Sequence, residues 1–290
     1  MDKNASKTKK AILLLVCPDQ PGIVSRVSDF LFREGGNIVD SDQHTDFETG
    51  IFFMRVEWEF ERMNLTRKAL ENKVKVLAAR FHMQYQLFFS DRPARMAIFV
   101  SQYGHCLYDL LVRHQLGEIQ VDIPLVVSNH AELKPVADHF KIPFHVIPVT
   151  KENKAKAEAK QIQLMKKHRV DLVVLARYMQ ILSAHFVQAY PHRIINIHHS
   201  FLPAFIGGKP YHQAYARGVK VIGATAHYVT ERLDEGPIIE QSVIRVSHRD
   251  RVEDLIRKGR DQEKVALASA VRMHLEHRIL TYGNKTVVFE

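Results

Sequence analysis

Cysteine is scarce in this sequence. Cys17 and Cys106 are the only two, they lie far apart, and no Cys-x-x-Cys pair occurs. Disulfide frameworks and thiolate zinc sites are therefore not expected, and a reducing cytoplasmic compartment is. Long apolar runs are lacking as well. Ala11–Cys17 is apolar and follows lysines, but it falls far short of the roughly 20 residues a membrane helix needs. Asp19-Gln20-Pro21-Gly22 interrupts it and no small-residue cleavage pattern follows, so it reads as a first strand rather than a signal peptide. No membrane partner is expected. The His-Glu-x-x-His helix, the Gly-x-Ser-x-Gly elbow and the Walker and dinucleotide glycine fingerprints are also missing. Gly35-Gly36 and Gly207-Gly208 are thus not phosphate loops, and Ser200 reads as a cap or turn residue. The formal charge is +9, yet neither a zinc finger nor aromatic–basic interleaving accompanies it, so nucleic acid is not an expected partner. The densest basic run, Lys151–Lys167, reads as one solvated helix face.

What is present suits two globular domains: 290 residues, 46% hydrophobic and 25% charged. Residues 1–90 read as βαββαβ, a ferredoxin-like module. Its strands are Lys10–Val16, Asn37–Thr45, Ile51–Phe60 and Met83–Phe89. One helix carries Ile23, Val27, Phe30 and Leu31 at helical spacing, and a second spans Leu65–Arg80. Residues 91–94, polar and containing proline, form the linker. Residues 95–290 alternate strand and helix, as a mostly parallel Rossmann-like sheet requires. Its strands are Met96–Ser101, Pro124–Ser128, His145–Pro148, Leu172–Ala176 and Ile194–His198. Val221–Thr230 and Pro237–Val246 follow as an antiparallel pair. Arg251–Arg278 is expected as a long helix interrupted near Gly259, and Lys285–Phe289 as a short last strand.

The chemistry concentrates in Asn196–Pro203. Alternation puts Asn196 and His198 on one face of the Ile194–His198 strand. An amide can hold a developing oxyanion and an imidazole can move a proton, so the pair suggests attack on a carbonyl. In an open parallel sheet, ligands bind beyond the carboxyl ends of the strands, where both residues lie. Asp234, in Leu233-Asp234-Glu235-Gly236-Pro237, is either plain turn chemistry or a third functional group. His198, His199, His212 and His227 raise a metal-hydrolase alternative, but adjacent strand residues face opposite ways.

Asn196-Ile197-His198, Leu202-Pro203 and Leu233-Asp234-x-Gly236-Pro237, in this order and spacing, resemble the folate-dependent formyltransferase family. Within it, His105-Cys106-Leu107, Ala176–Ser183, Asn196–Phe205, Lys209-Pro210-Tyr211-His212 and Gly223–Tyr228 resemble the deformylase subgroup. Gly207-Gly208 departs from the Gly-Ala expected there. Asp19–Gly22 and Gly36–Asp42 resemble the ACT regulatory domain fused to that subgroup. The resemblance covers nearly the whole chain. It implies an α/β protein with an N-terminal ferredoxin-like ACT domain and a C-terminal Rossmann-like formyltransferase domain. It also implies hydrolysis of 10-formyltetrahydrofolate to formate and tetrahydrofolate, balancing one-carbon pools and supplying formate for purine synthesis. Asn196, His198 and Asp234 would be catalytic, and Arg177, Met179, Gln180, Leu182 and Leu233 would bind substrate. Asp19, Gly22, Asn37 and Ile38 would bind an amino-acid effector, glycine or methionine, in a homo-oligomer. No metal or other cofactor is implied. The runner-up is glycinamide ribonucleotide formyltransferase, which shares the three catalytic residues. Its glycine-rich phosphate loop is replaced here by Ser101-Gln102-Tyr103-Gly104-His105-Cys106-Leu107, which favours water as acceptor. A non-catalytic folate or amino-acid sensor is the other alternative, and the complete Asn–His–Asp set argues against it.

Overall fold

The computed structural model describes residues 9–204 and 210–290. Phe205, Gly207, Gly208 and Lys209, named above, lie outside the described residues. The chain divides into two compact units. The first runs to Pro93 and includes His277–Leu280 and Val287–Glu290; the second holds Ala94–Glu276 and Thr281–Thr286.

The first unit contains β1 (Lys10–Pro18), α1 (Ile23–Arg33), β2 (Asn37–Asp46), β3 (Ile51–Glu59), α2 (Arg67–Arg80) and β4 (Gln84–Phe89). Its antiparallel sheet has the order β2-β3-β1-β4, matching the expected βαββαβ. Strand alternation sends Ala11, Leu13, Leu15 and Cys17 of β1 and Met54, Val56 and Trp58 of β3 into one core. Ile23, Val27 and Leu31 of α1 and Leu70, Val74 and Ala78 of α2 close it. Arg55 on β3 is buried too. It pairs with Asp40 and with Glu57 at 2.6 Å, and it donates to the His277 carbonyl at 3.1 Å. The His277 ring stacks on Phe88 at 3.6 Å, and burial, with Arg55 adding to it, pushes its pKa down to about 4.

In the second unit, β5 (Arg95–Val100), α3 (His105–Leu116), β6 (Asp122–Ser128), α4 (Lys134–His139) and β7 (Phe144–Val146) come first. Next are α5 (Lys154–Lys167), β8 (Leu172–Leu175), α6 (Ala184–Ala189), β9 (Ile194–His198) and α7 (Pro210–Ala216). Last come β10 (Val221–Tyr228), β11 (Ile238–Arg245) and α8 (Val252–Leu275), before the hairpin β12 (Ile279–Tyr282) and β13 (Lys285–Val288). The seven-stranded sheet has the order β11-β10-β9-β8-β5-β6-β7. β5 to β9 run parallel, while β10 is antiparallel to both β9 and β11. Helices cover both faces, so β5 and β8 are buried at nearly every residue. α5 lays Ala157, Ile162 and Met165 against the sheet and turns its lysines outward, as the basic run implied.

Two expectations fail. α8 is one unbroken helix through Gly259, and it ends at Leu275 rather than reaching Arg278. Gly259 is not a breaker. A Cβ there would sit 2.0 Å from the Tyr211 hydroxyl, so the glycine makes room for that ring. Both α7 and β12 went unread in the sequence, α7 because so short a helix carries little periodic signal.

Candidate active site

Antiparallel pairing of β9 with β10 sets Asn196 opposite His227 and His198 opposite Thr225. β10 then turns through residues 229–237 into β11, carrying Asp234 back over β9. The turn closes where Tyr228 N donates to the Pro237 carbonyl at 2.9 Å. Gly236 packs so tightly that a Cβ would lie 1.8 Å from the Tyr228 oxygen. Asp234 itself adopts φ 55, a left-handed conformation that aspartate tolerates better than most residues.

Four polar side chains meet there. Asp234 Oδ2 lies 3.2 Å from His198 Nδ1, and Oδ1 lies 3.6 Å from His227 Nε2. Asn196 Nδ2 is 3.2 Å from His227 Nε2, and His227 Nδ1 is 2.9 Å from the Tyr228 carbonyl. A carbonyl only accepts, so His227 carries its proton on Nδ1, leaving Nε2 to accept from the Asn196 amide. By the same reasoning His198 donates from Nδ1 to Asp234. Its Nε2 is buried and has no hydrogen-bond partner among the described residues. Burial pushes the Asp234 carboxyl up, but the His198 Nδ1–H outweighs it and holds the group ionised, below the usual carboxylate range.

The neighbouring loop is pinned by Thr225. Its Oγ1 accepts from Leu202 N at 3.0 Å and donates to the Ser200 carbonyl at 2.9 Å. Ser200 Oγ donates to the Ala204 carbonyl at 3.0 Å, which is turn chemistry rather than a nucleophile's environment. His199 lies beside Tyr211, with ring centroids 6.2 Å apart. Burial, then Arg177 and His198, push its pKa down to about 4. His212 is exposed.

β8 pairs with β9 so that Leu175 lies opposite Asn196, and the segment after β8 leaves beside the site. Met179 is exposed, Gln180 and Leu182 are half-buried, and Leu233 is exposed on the Asp234 turn. Buried polar groups anchor this segment. Met179 N donates to Ser101 Oγ at 3.0 Å, Tyr178 OH accepts from Gln161 at 2.9 Å, and Ser183 bonds to Glu158 through both its amide (3.0 Å) and its hydroxyl. Arg177 turns inward instead, its Nε 3.4 Å from Glu263 Oε2. In the first unit, Asp19 and Gly22 lie between β1 and α1. Asn37 and Ile38 open β2, where Asn37 donates to Glu59 at 3.0 Å.

Residues 94–271 match the formyl transferase family, and residues 11–77 match the ACT domain. The formyltetrahydrofolate deformylase of Synechocystis sp. is 56% identical over 279 residues, 96% of this chain and 98% of that protein. The chain belongs to the formyltetrahydrofolate deformylase family. A solved formyltetrahydrofolate deformylase from Pseudomonas syringae pv. tomato shares the fold with a TM-score of 0.95 at 45% identity, over 99% of this chain and 96% of that one. Glycinamide ribonucleotide transformylase 1 from Symbiobacterium toebii is more distant. It is 32% identical over 71% of this chain and 98% of its own, with a TM-score of 0.65.

Two groups of this deformylase-family site escaped the sequence reading. His227 entered as a possible metal ligand and within the Gly223–Tyr228 motif, with no role beside Asn196 and Asp234; its period-two relation to Thr225 on a strand leading to Asp234 was the available signal. The second is Glu263, which gathers His105, Tyr211 and Arg177 around its carboxylate. The sequence reading named those three separately, and no spacing ties Glu263 to them. Among the described residues, His105, Cys106 and Glu263 are the group whose potential metal-ligand atoms lie within 4.8 Å of one another. Arg177 against the same carboxylate already supplies it with positive charge.

Proposed function

We propose that this chain hydrolyses 10-formyltetrahydrofolate to formate and tetrahydrofolate at Asn196, His198 and Asp234. The observation that carries this reading is the open, buried Nε2 of His198, whose other nitrogen is held by an ionised Asp234. One N–H of the Asn196 amide meets His227, which leaves the second to donate to the formyl oxygen. Water attacks the formyl carbon while His198 Nε2 takes its proton. The carbonyl pair becomes the oxyanion held by Asn196. Collapse breaks the C–N10 bond, and the same proton passes from His198 to N10. Asp234, a poor base because it binds protons weakly, fixes the tautomer and stabilises the imidazolium. Met179, Gln180, Leu182 and Leu233, with Arg177 behind them, form the folate-facing surface of this reading.

The first unit is the regulatory part. Asp19, Gly22, Asn37 and Ile38 sit at its exposed loop ends and receive a small-molecule effector, with glycine and methionine the amino acids to test, in a homo-oligomer. Buried free thiols at Cys17 and Cys106 fit a reducing cytoplasm.

The deciding experiment supplies 10-formyltetrahydrofolate without any amine. Stoichiometric formate and tetrahydrofolate are expected; formate that appears only after an amine is added would defeat the hydrolytic reading.

A further inference from the structure

The sheet order places β5 at the switch point, with β8 on one side and β6 on the other. Connections diverge there, and the crevice beyond the strand ends is where such folds take ligands. Here the crevice is filled from within. The loop after β5 is stitched to the loop after β8: Ser101 N donates to the Arg177 carbonyl at 3.2 Å, and Ser101 Oγ accepts from Met179 N. α3 then begins with His105, a position where an open loop would expose helix N–H groups to an anion. Its imidazole Nε2 instead lies 2.8 Å from Glu263 Oε2. The Glu263 carboxylate is 1% exposed. It also accepts from Tyr211 OH at 2.9 Å and faces Arg177 Nε at 3.4 Å. Burial raises its proton affinity, but His105, Arg177 and Tyr211 overcome this and keep it ionised. Tyr103 roofs the crevice, its ring 5.5 Å from the Arg177 guanidinium and 5.4 Å from that of Arg260.

This cluster borders the reacting groups. His199 connects the two, its ring 5.1 Å from His198 and 6.2 Å from Tyr211. We propose that Glu263, held by His105, Tyr211 and Arg177, closes the acceptor side of the formyl site and so restricts the nucleophile to water. The inference rests on the hydrolytic reading above. The protein's own carboxylate lies against His105 at the start of α3, where a helix N-terminus would otherwise draw an anionic group, so a bulky nucleophile meets filled space that already holds an anion. Glu263 and His105 are therefore specificity-determining residues for the acceptor. The transformylase relative carries the same scaffold with a TM-score of 0.65, which directs attention to the acceptor side rather than to the fold.

The test gives the full-length protein 10-formyltetrahydrofolate together with glycinamide ribonucleotide or with glycinamide. Formate and formylated amine are measured in the same tube. Their ratio does not depend on the fraction of enzyme that is folded, so a merely structural role would not move it. Wild type is expected to give formate alone. Glu263→Gln and His105→Gly should send formyl groups to amine in a share roughly tenfold or more above the wild-type detection limit. The ribonucleotide should gain more than glycinamide, because Glu263→Gln leaves Arg177 free to attract its phosphate. Tyr211→Phe keeps the ring and should divert a smaller share. Formate alone from both His105→Gly and Tyr211→Phe, each with the near-ultraviolet dichroism of wild type, overturns the proposal. So does a metal bound one per chain that Glu263→Gln loses, since the cluster would then be a metal centre. Failure of wild type to release formate counts against the hydrolytic reading instead, whatever the variants do.

Discussion

His198 works through the inequality of its two ring nitrogens. Nδ1 is committed to Asp234 at 3.2 Å, and Nε2 is buried and open. Asp234→Asn keeps the shape but offers an amide in place of an acceptor that stabilises imidazolium. It should lower kcat about 10²–10⁴-fold, further than the accompanying fall in Tm accounts for. Measuring both on the same preparation separates chemistry from folding. Asn196→Ala removes the proposed oxyanion donor and should cost about 10²–10³ in kcat. Undiminished turnover in that variant would remove Asn196 from the mechanism. At this scale the sequence was legible where polar residues interrupt an apolar strand, as at Asn196 and His198. It was not legible at His227, whose contact with Asn196 exists only through the β9–β10 register. Glu263 was hidden as well, because a glutamate on a long charged helix looks solvated until Tyr211, His105 and Arg177 surround it.

At the scale of elements, two glycines control how side chains reach the site. The β10–β11 turn holds Asp234 over β9 because Gly236 lies against the Tyr228 carbonyl. Gly236→Ala must displace that backbone, at a cost of about 1–3 kcal/mol by analogy with overpacked cores. Since Asp234 is two residues away, kcat should fall further than stability alone accounts for. Urea denaturation alongside kinetics checks this. Gly259→Ala would place its Cβ 2.0 Å from the Tyr211 hydroxyl and push that ring off Glu263. A similar destabilisation is expected, with α8 remaining helical by circular dichroism because alanine favours helix over glycine. Reading Gly259 as a helix interruption followed from propensity; the helix runs through it because packing against Tyr211 outweighs a cost of about 1 kcal/mol.

Across the whole molecule, stability should depend on pH through two half-buried histidines in separate units. His277, stacked on Phe88, and His199, beside Tyr211, both have pKa values pushed from 6.5 to about 4 by burial. Above pH 6.5 each is neutral whether folded or unfolded, and neither contributes a slope. As pH falls from 6.5 towards 4 the unfolded chain binds protons that the folded chain refuses, so stability declines, by up to roughly 3 kcal/mol for each group. Urea titrations between pH 8 and 5 should show the decline, and His277→Phe, which keeps the stacking, should flatten it. A slope unchanged in that variant would leave His277 out of the account. Alone, the sequence determined most of the succession of strands and helices, the βαββαβ module and the parallel sheet with its antiparallel end, and it singled out Asn196, His198 and Asp234 as candidates. Those follow from periodicity and short motifs, which are local. Only the tertiary structure decided that the last residues cluster with the first unit, that His198 keeps one nitrogen open, and that Glu263 is an internal anion. Each of these depends on burial and on partners distant in the chain, which no local pattern encodes.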